Sequence, residues 1–600
     1  MAKCARVLGA LPLVVICLIA FGRRASAEKS VEEIRAAIEQ GVDRVIAEQQ
    51  PDGSWPDIPA ETGRKYPVGR TALATLALLH SHSPKANAAI QKGLAFIVQQ
   101  WPESKTYTAG LVEQCLYKAG VDRYRKQLDA YGWMLSKSQS VQGTMSGCYN
   151  YDLMPYPKDF GSKQETEPSA AILAGGGDHS NTQFGILGLI YAQKAGFQVP
   201  KEVWRRAQAH YIGAQNPDGG WEYHEMAFLG NLSPSTSTMT LAGTVSLYLV
   251  NEMLYADKHD QCKPPPRSEG VEKGLDWIAK HWTKGLSPYG WYGTERIGIL
   301  MGLSEFGGHD WYQEGADVLC PMVSAGGRAG TTDLCFGILF LSRGLEPIVI
   351  NKLKRTGDWN LHLHDVQHLT EYITDKFQLG KQWRIVTLNA SQEQLQKVPI
   401  LWISGHENLV FTADEKAKLK QYVEQGGTIL GEACCSQKAF DDSFRALLAE
   451  LWPGTKLTEL PPSHAVFQTP RVLKNKLKIL GLALEANQGR FGVLYIPNGI
   501  SCQWERGGTT AVAALDVGAN ITFYVEKVAS RVKPPEQAAP ERAPAVPAPE
   551  TPVETPPKDA APNPEAPKDA APAPEPPKDP AAPKDAQDAT PPVPDDAKGD

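Results

Sequence analysis

Gln49-Gln50-Pro51-Asp52-Gly53-Ser54-Trp55 returns further along the chain as Gln215-Asn216-Pro217-Asp218-Gly219-Gly220-Trp221. The Asp-Gly pair makes a tight turn. The glutamine is suited to capping backbone groups, and the tryptophan to covering the junction of a helical hairpin. Degenerate copies follow in the QSVQGTMSG stretch at Gln139 and in KGLSPYGW, ending at Trp291. These motifs close amphipathic stretches, which fall at 31–50, 85–100, 121–139, 199–215, 268–284 and 311–323.

After each amphipathic stretch comes an apolar segment that opens with small or hydroxyl residues. Examples are YPVGRTALATLALLHSH (66–82), TYTAGLVEQCLYKAG (106–120) and HSNTQFGILGLIYAQKAG (179–196). STSTMTLAGTVSLYLVNE (235–252), YGTERIGILMGLSEFGG (292–308) and GTTDLCFGILFLSRG (330–344) complete the set. Opening Ser and Thr are helix N-cap chemistry and closing Gly is C-cap chemistry. A helix apolar nearly all round is buried on all sides. Outer amphipathic and inner apolar helices, alternating six times, predict an all-α (α/α)6 toroid over residues 28–345.

The Gln–Trp motifs resemble the QW repeats of squalene–hopene cyclases, within the terpenoid cyclase/prenyltransferase superfamily. That resemblance implies the fold and not the activity. The DxDD acid motif of squalene–hopene cyclases is missing from the ring, and so is a DDxxD motif for magnesium and diphosphate. Asp333-Leu334-Cys335 is similar to the zinc-holding Asp-x-Cys pair of protein prenyltransferases, which makes Asp333 and Cys335 the candidate metal pair and zinc the metal they would hold. No histidine of the toroid follows them, and residues two apart on a helix face apart, so no cofactor is expected. Parallel inner helices gather six N-termini at one rim, where free N–H groups and helix dipoles favour an anion. Arg70, Asp178, His179, Glu295, Arg296 and Asp333 are placed there as the candidate ligand-binding residues.

From residue 346 the rhythm changes to short apolar runs alternating with helices. The runs are 347–353, 383–388, 399–405, 428–434 and 493–497, and the helices are 364–377, 412–425, 438–451 and 509–529. This predicts an α/β domain over 346–530 with a largely parallel sheet. WISGHENLVFTADEKAKLKQYVEQGGTILGEACC, AFDDSFRALLAELWPG and LPPSHAVF resemble the DUF4159 family, similar in turn to flavodoxin-like, class I glutamine-amidotransferase-like folds. A Cys after a strand with a His as base is one candidate chemistry: Cys434 or Cys435 with His464 or His406. A polar cleft at the strand ends, with Ser404, His406, Glu407 and Glu432, is the other. Gly does not flank the cysteines as a nucleophile elbow requires.

The 600 residues carry a net charge of −6, which provides no global basic field for nucleic acid. Lys3 and Arg6, an apolar run over 7–21 and Ala25-Ser26-Ala27 read as a secretory signal peptide at 1–27. No later segment is long enough to span a membrane. Ten cysteines are scattered and form no zinc-type CxxC spacing. Residues 531–600, rich in Pro, Ala, Lys and Asp, cannot bury enough surface to order, and are expected to be a disordered spacer. The sum is an exported cell-envelope binding or scaffold protein, taking a hydrophobic or anionic small molecule or an envelope protein as partner. The alternative is an enzyme, with isoprenoid chemistry in the ring or Cys/His hydrolysis in the α/β domain.

Overall fold

The computed structural model describes residues 28–56, 65–157, 177–223, 234–255, 268–474, 477–484 and 490–529. The expected signal peptide, Cys262 and the Pro/Ala-rich tail lie outside the described residues. The chain divides into a compact unit ending at Pro535 and the residues from Glu536 onward. The ring and the α/β domain belong to the first.

Six helical hairpins form the ring. The outer helices are α1 (Val31–Ala47), α3 (Asn87–Gln100), the second half of α4 (Thr106–Ser138), α6 (Lys201–Gly213), α8 (Glu269–Lys280) and α10 (Trp311–Val323). The inner ones are α2 (Pro67–Ser81), the first half of α4, α5 (His179–Ala195), α7 (Ser237–Tyr255), α9 (Pro288–Met301) and α11 (Thr331–Gly344). Each inner helix packs on the next, and α11 packs back on α2, so the ring is closed. In α4 the hairpin turn is reduced to a kink with non-helical backbone at Gly120, at φ +131°, and Tyr124. The inner helices are buried almost throughout, which accounts for their lack of a polar stripe.

The fifth inner helix differs from expectation. It starts at Pro288 and stops at Met301, not at 292 and 308. Ser287 caps it by accepting from the Gly290 N–H at 3.2 Å, and Gly302 ends it in the left-handed region at φ +62°. Residues Glu305–Phe306 and His309–Asp310 then pair as a short antiparallel ribbon, β1 and β2. The KGLSPYGW stretch is therefore a cap and first helical turn. Trp291 lies within the helix, and it does not close a hairpin.

The other Gln–Trp copies share one geometry. Gln49 Nε2 donates to the carbonyls of Gly53 at 3.0 Å and Ala89 at 2.9 Å. Gln215 Nε2 does the same to Gly219 and Gly270, both at 2.8 Å. Trp55 Nε1 reaches back to Val45 O at 2.7 Å, and Trp221 Nε1 to Tyr211 O at 3.0 Å. In the degenerate copy Gln139 bonds Gly147 O and Val203 O, each at 3.1 Å, while Tyr149 takes the tryptophan's place and donates to Leu135 O at 3.0 Å. One glutamine thus satisfies a turn and the neighbouring outer helix together, as buried carbonyls require.

The α/β domain is a seven-stranded mixed sheet between two helical layers. Its strands are β3 (Ile348–Leu353), β4 (Gln382–Val386), β5 (Ile400–Gly405), β6 (Thr428–Ala433), β7 (Thr458–Glu459), β8 (Leu480–Ala483) and β9 (Phe491–Ile496), in the order β4-β3-β5-β6-β9-β8-β7. Five strands are parallel, and β8 and β7 add antiparallel at one edge. Along β5, Ile400 and Trp402 face one core while Leu401 and Ile403 face the other. This is the alternation of a strand buried on both faces. The first core is covered by α12 (Asp365–Phe377), α16 (Ser501–Arg506) and α17 (Gly508–Ala529). The second is covered by α13 (Gln392–Gln396), α14 (Ala413–Glu424) and α15 (Lys438–Leu451). Among the described residues no helix is long and apolar enough to cross a membrane.

Candidate functional site

Helix α12 of the α/β domain lies against the C-terminal ends of the inner helices. Tyr117 and Lys194 of the ring reach Asp375 and Glu371 of α12, each at 2.7 Å. Tyr248 donates to Gln367 Oε1 at 3.0 Å, and Gln367 Nε2 donates to Glu252 Oε2 at 3.3 Å. The edge strand β4 adds a backbone bond from Ile385 N to Gly302 O at 2.8 Å, with Trp383 packed on that glycine.

Between α12 and the ring lies a chamber of about 110 Å³, walled by both domains. A cavity this size is well under the ~300 Å³ at which pockets for drug-sized ligands begin. It suits an ion or a head group of a few atoms and not a polyprenyl chain. Its wall is crowded with charge. Lys194 is held by Glu371 and Lys381 by Glu526 at 2.6 Å, while Arg343 takes Glu295 at 3.1 Å. Arg296 is 4% exposed and has no carboxylate at ion-pair distance among the described residues. Its guanidinium donates to two neutral oxygens, Gln114 Oε1 and Tyr292 Oη, and its Nε has no partner. Lys118, half-buried in the same wall, forms no ion pair among the described residues. The acids left facing them are Glu346 and Asp375, whose carboxyls burial pushes up towards the neutral form. His80 registers the resulting field. Burial first, then the charges of Lys118 and Arg343, hold its imidazole well below the usual range, and it stays neutral with Nδ1 unpartnered.

The rim expected at the N-terminal ends is assembled only in part. Asp178 caps α5, accepting from Asn181 N at 2.6 Å and Asn181 Nδ2 at 2.8 Å. His179 is buried, with Nδ1 on Glu222 O at 2.6 Å and its ring stacked on Tyr211. Arg70 stands in the first turn of α2. Glu295 and Arg296 are not at the rim. Because α9 starts at Pro288, both lie in its middle, and Arg296 belongs to the chamber near the opposite mouth. The Asp333–Cys335 metal pair also fails to converge. Asp333 is exposed in the first turn of α11, whereas Cys335 points into the core at 1% exposure and burial raises its thiol pKa.

Of the expected cysteine-site residues, the structure brings Cys434, Cys435 and His406 together and leaves His464 apart. Cys434 follows β6 and is fully buried. His406, in the loop after β5, lies within 4.8 Å of Cys434 and Cys435 by its ligating atoms. His464 is elsewhere: it caps a short turn, accepting from Val466 N at 3.3 Å, and packs between Phe491 and Tyr524. The histidine in contact with Cys434 is His362, from the loop after β3, at 3.3 Å from Nε2 to Sγ. Cys502 of α16 completes the group, 3.4 Å from His362 Nε2 and 3.7 Å from Cys434 Sγ. A hydrogen bond from Cys434, aided by His362, holds the Cys502 thiol below the ordinary range, and the Cys434 thiol is raised in return. Cys435 is disulfide-bonded. Cys435 and Ser436 both adopt left-handed φ, +53° and +57°, so the chain turns sharply here without the glycine an elbow normally uses.

Ser404 and Glu432 are spent on structure. Ser404 Oγ donates to Glu432 Oε2 at 2.7 Å, and Oε1 accepts from Ser501 N at 2.8 Å and Ser501 Oγ at 3.0 Å. Glu407 is exposed, and its N–H donates to Asp358 at 3.1 Å. Neither His362 nor Cys502 stood out in the sequence, because one lies in a loop and the other in a short helix, each far along the chain from the Cys434-Cys435 pair.

Residues 349–525 match the model of a family described as a domain of unknown function, DUF4159. No curated protein matches the chain. Among solved structures, the GH76A alpha-1,6-mannanase of Salegentibacter sp. HEL1_6 is similar at 9% identity and a TM-score of 0.36, over 53% of this chain and 99% of that one. An inactive variant of it in complex with alpha-1,6-mannotriose is similar at 8% identity with the same coverage and TM-score. The type II terpene cyclase MstE from Scytonema, in complex with geranylgeranyl dihydroxybenzoate, is similar at 13% identity and a TM-score of 0.29, over 55% of this chain and 81% of that one.

Proposed function

We propose that this chain is an exported binding protein of the cell envelope that holds a small anionic group in the chamber between its helical ring and its α/β domain. The observation that carries the reading is Arg296. A guanidinium at 4% exposure, bonded only to neutral oxygens, keeps its charge out of water with no carboxylate at ion-pair distance among the described residues. Such a group costs several kcal/mol unless an anion joins it. Lys118 on the same wall adds a second cation, and neutral His80 offers an unpartnered nitrogen. A carboxylate or phosphate of a few atoms fits both the volume and the charge.

The test is calorimetric titration of the intact chain with inorganic phosphate and with succinate, on the natural protein and on Arg296→Met. Expected is one site per chain, lost in the variant and weakened by added salt. Absence of binding by either anion, or binding unchanged in a folded Arg296→Met, would sink the proposal.

A further inference from the structure

We infer that His362, Cys434 and Cys502 form a transition-metal site of zinc type in the α/β domain. Zinc bound tetrahedrally has Zn–S near 2.3 Å and Zn–N near 2.0–2.1 Å, which places two sulfur ligands about 3.8 Å apart and a nitrogen about 3.6 Å from each sulfur. The three donor atoms here are separated by 3.7 Å sulfur to sulfur and by 3.3 and 3.4 Å nitrogen to sulfur. All three edges of one tetrahedral face are therefore present to within a few tenths of an ångström. Two thiols and an imidazole are also the donor set that zinc prefers over the oxygen-seeking cations.

The three donors come from separate segments at the C-terminal edge of the parallel strands, and each segment is tied down. Lys352, at 1% exposure, donates to the carbonyl of His362 and pairs with Asp365 at 2.6 Å, which holds the loop that carries the imidazole. Cys434 directly continues the buried strand β6. Glu432, two residues before it, accepts from the Ile500 N–H and from both the N–H and hydroxyl of Ser501, so β6 grips the turn that presents Cys502. Gly499 lets this turn come close: a Cβ there would stand 2.9 Å from the Cys435 nitrogen. Supporting bonds of this kind fix ligand orientation in metal sites. No fourth His, Cys, Asp or Glu lies within reach of all three donors among the described residues. The fourth position is thus left to water or to an exogenous ligand, the pattern of three protein ligands and one open place. Cys435, already disulfide-bonded, is not a ligand.

The experiment uses the full chain, freed of metal by chelator under a mild reductant that leaves the Cys435 disulfide intact. Zinc is titrated against a chromophoric chelator, and cobalt is then used as a spectroscopic probe. Expected are one ion per chain, tetrahedral cobalt d–d bands, and a sulfur-to-cobalt charge-transfer band of two-thiolate intensity. Cys502→Ser, at a half-buried position, should halve that band and weaken zinc at least about a hundredfold, more than loss of a supporting residue does. Cys115→Ser, a buried cysteine of the ring, should change neither. His362→Ala should shift the d–d bands while leaving both thiolate bonds. A cobalt spectrum without thiolate character, zinc affinity unchanged in folded Cys502→Ser, or a Cys434–Cys502 disulfide that persists under the reductant would each overturn the inference. If Cys434→Ser fails to fold, the Cys502 and His362 variants decide the matter alone.

Discussion

His368 of the α/β domain and Glu252 of the ring meet at 3.3 Å, Nε2 to Oε1, in a joint where Glu252 is buried and His368 partly so. Burial alone would drive the imidazole to its neutral form. The hydrogen bond to Glu252, with the charges of Glu252, Glu371 and Glu505, outweighs burial and raises the His368 pKa from 6.5 to about 9. Glu252 is lowered from 4.5 in turn: burial opposes this, but the bond from His368 and the charges of His364, His368 and Lys194 prevail. The raised base contributes stability that is full below pH 6.5 and is lost as pH climbs through about 9. The depressed acid contributes stability that is full above pH 4.5 and is lost as pH falls below it. The joint is therefore tightest from about pH 4.5 to 6.5 and loosens progressively as pH rises from there through about 9. Hydrogen exchange in α12 should accelerate above that window in the natural chain. His368→Ala should remove the alkaline change and cost about 3–5 kcal/mol at neutral pH by leaving Glu252 buried without its partner. An alkaline change of equal size in the variant would show that the pair is not its source.

Gly302 shapes the same joint. It ends α9 at φ +62°, and a Cβ on it would lie 2.7 Å from the Trp383 ring. Gly302→Ala should cost about 1–2 kcal/mol for the left-handed backbone and about 1–3 kcal/mol for the clash. Urea unfolding should give a lower midpoint at unchanged slope. A midpoint equal to that of the natural chain would mean that the tryptophan swings clear freely.

The ring was legible because its signals are local. Hydroxyl-rich starts, glycine ends and the Gln-to-Trp spacing each lie within one hairpin. The fifth inner helix was misplaced because Ser287-Pro288 is a stronger start than the apolar pattern from Tyr292 onward, and Pro is well placed in a first turn. The short edge strands β7 and β8 were missed because so few residues set no period. The chamber was missed for an electrostatic reason. Helix dipoles favour an anion at the N-terminal rim. The same reasoning predicts cations at the other end, and the segments carry them just before their closing glycines: Lys118 before Gly120, Lys194 before Gly196 and Arg343 before Gly344. Read together, those three basic residues announce a positive mouth. His362 and Cys502 carry no such local mark. They meet Cys434 only because strands far apart in sequence are neighbours in the sheet.

Glu113 offers a test of buried charge inside the ring. It is fully buried on α4, and among the described residues no side chain partners its carboxyl, which has only the Gly132 backbone beside it. Burial first, then the charge of Asp129, raise its pKa well above 4.5. A carboxyl whose folded pKa is raised costs stability increasingly as pH rises above its unfolded value. Glu113→Gln should therefore gain about 1–3 kcal/mol at neutral pH and little at pH 4. Thermal melting at the two pH values checks this, and a variant less stable at neutral pH would place the carboxylate in a favourable contact instead.

The three glutamines at the hairpin junctions make a graded prediction. Gln49 and Gln215 each bridge two carbonyls from half-buried positions, where water can replace part of what an alanine would lose. Gln139 is 1% exposed, bridges Gly147 and Val203, and also accepts from Arg206 Nε at 2.9 Å. Its removal strands two buried carbonyls and a guanidinium together. Unsatisfied buried groups cost more than the net worth of the bonds themselves. Gln49→Ala and Gln215→Ala should each cost about 1–2 kcal/mol, and Gln139→Ala about 2–4 kcal/mol. The motifs sit on different hairpins and share no partner, so the Gln49 and Gln215 losses should add to within about 0.5 kcal/mol. Denaturant titration of the three single variants and the Gln49/Gln215 double variant measures both points. A Gln139→Ala cost no larger than the other two would mean that the degenerate junction, with tyrosine in place of tryptophan, opens enough to let water reach the carbonyls.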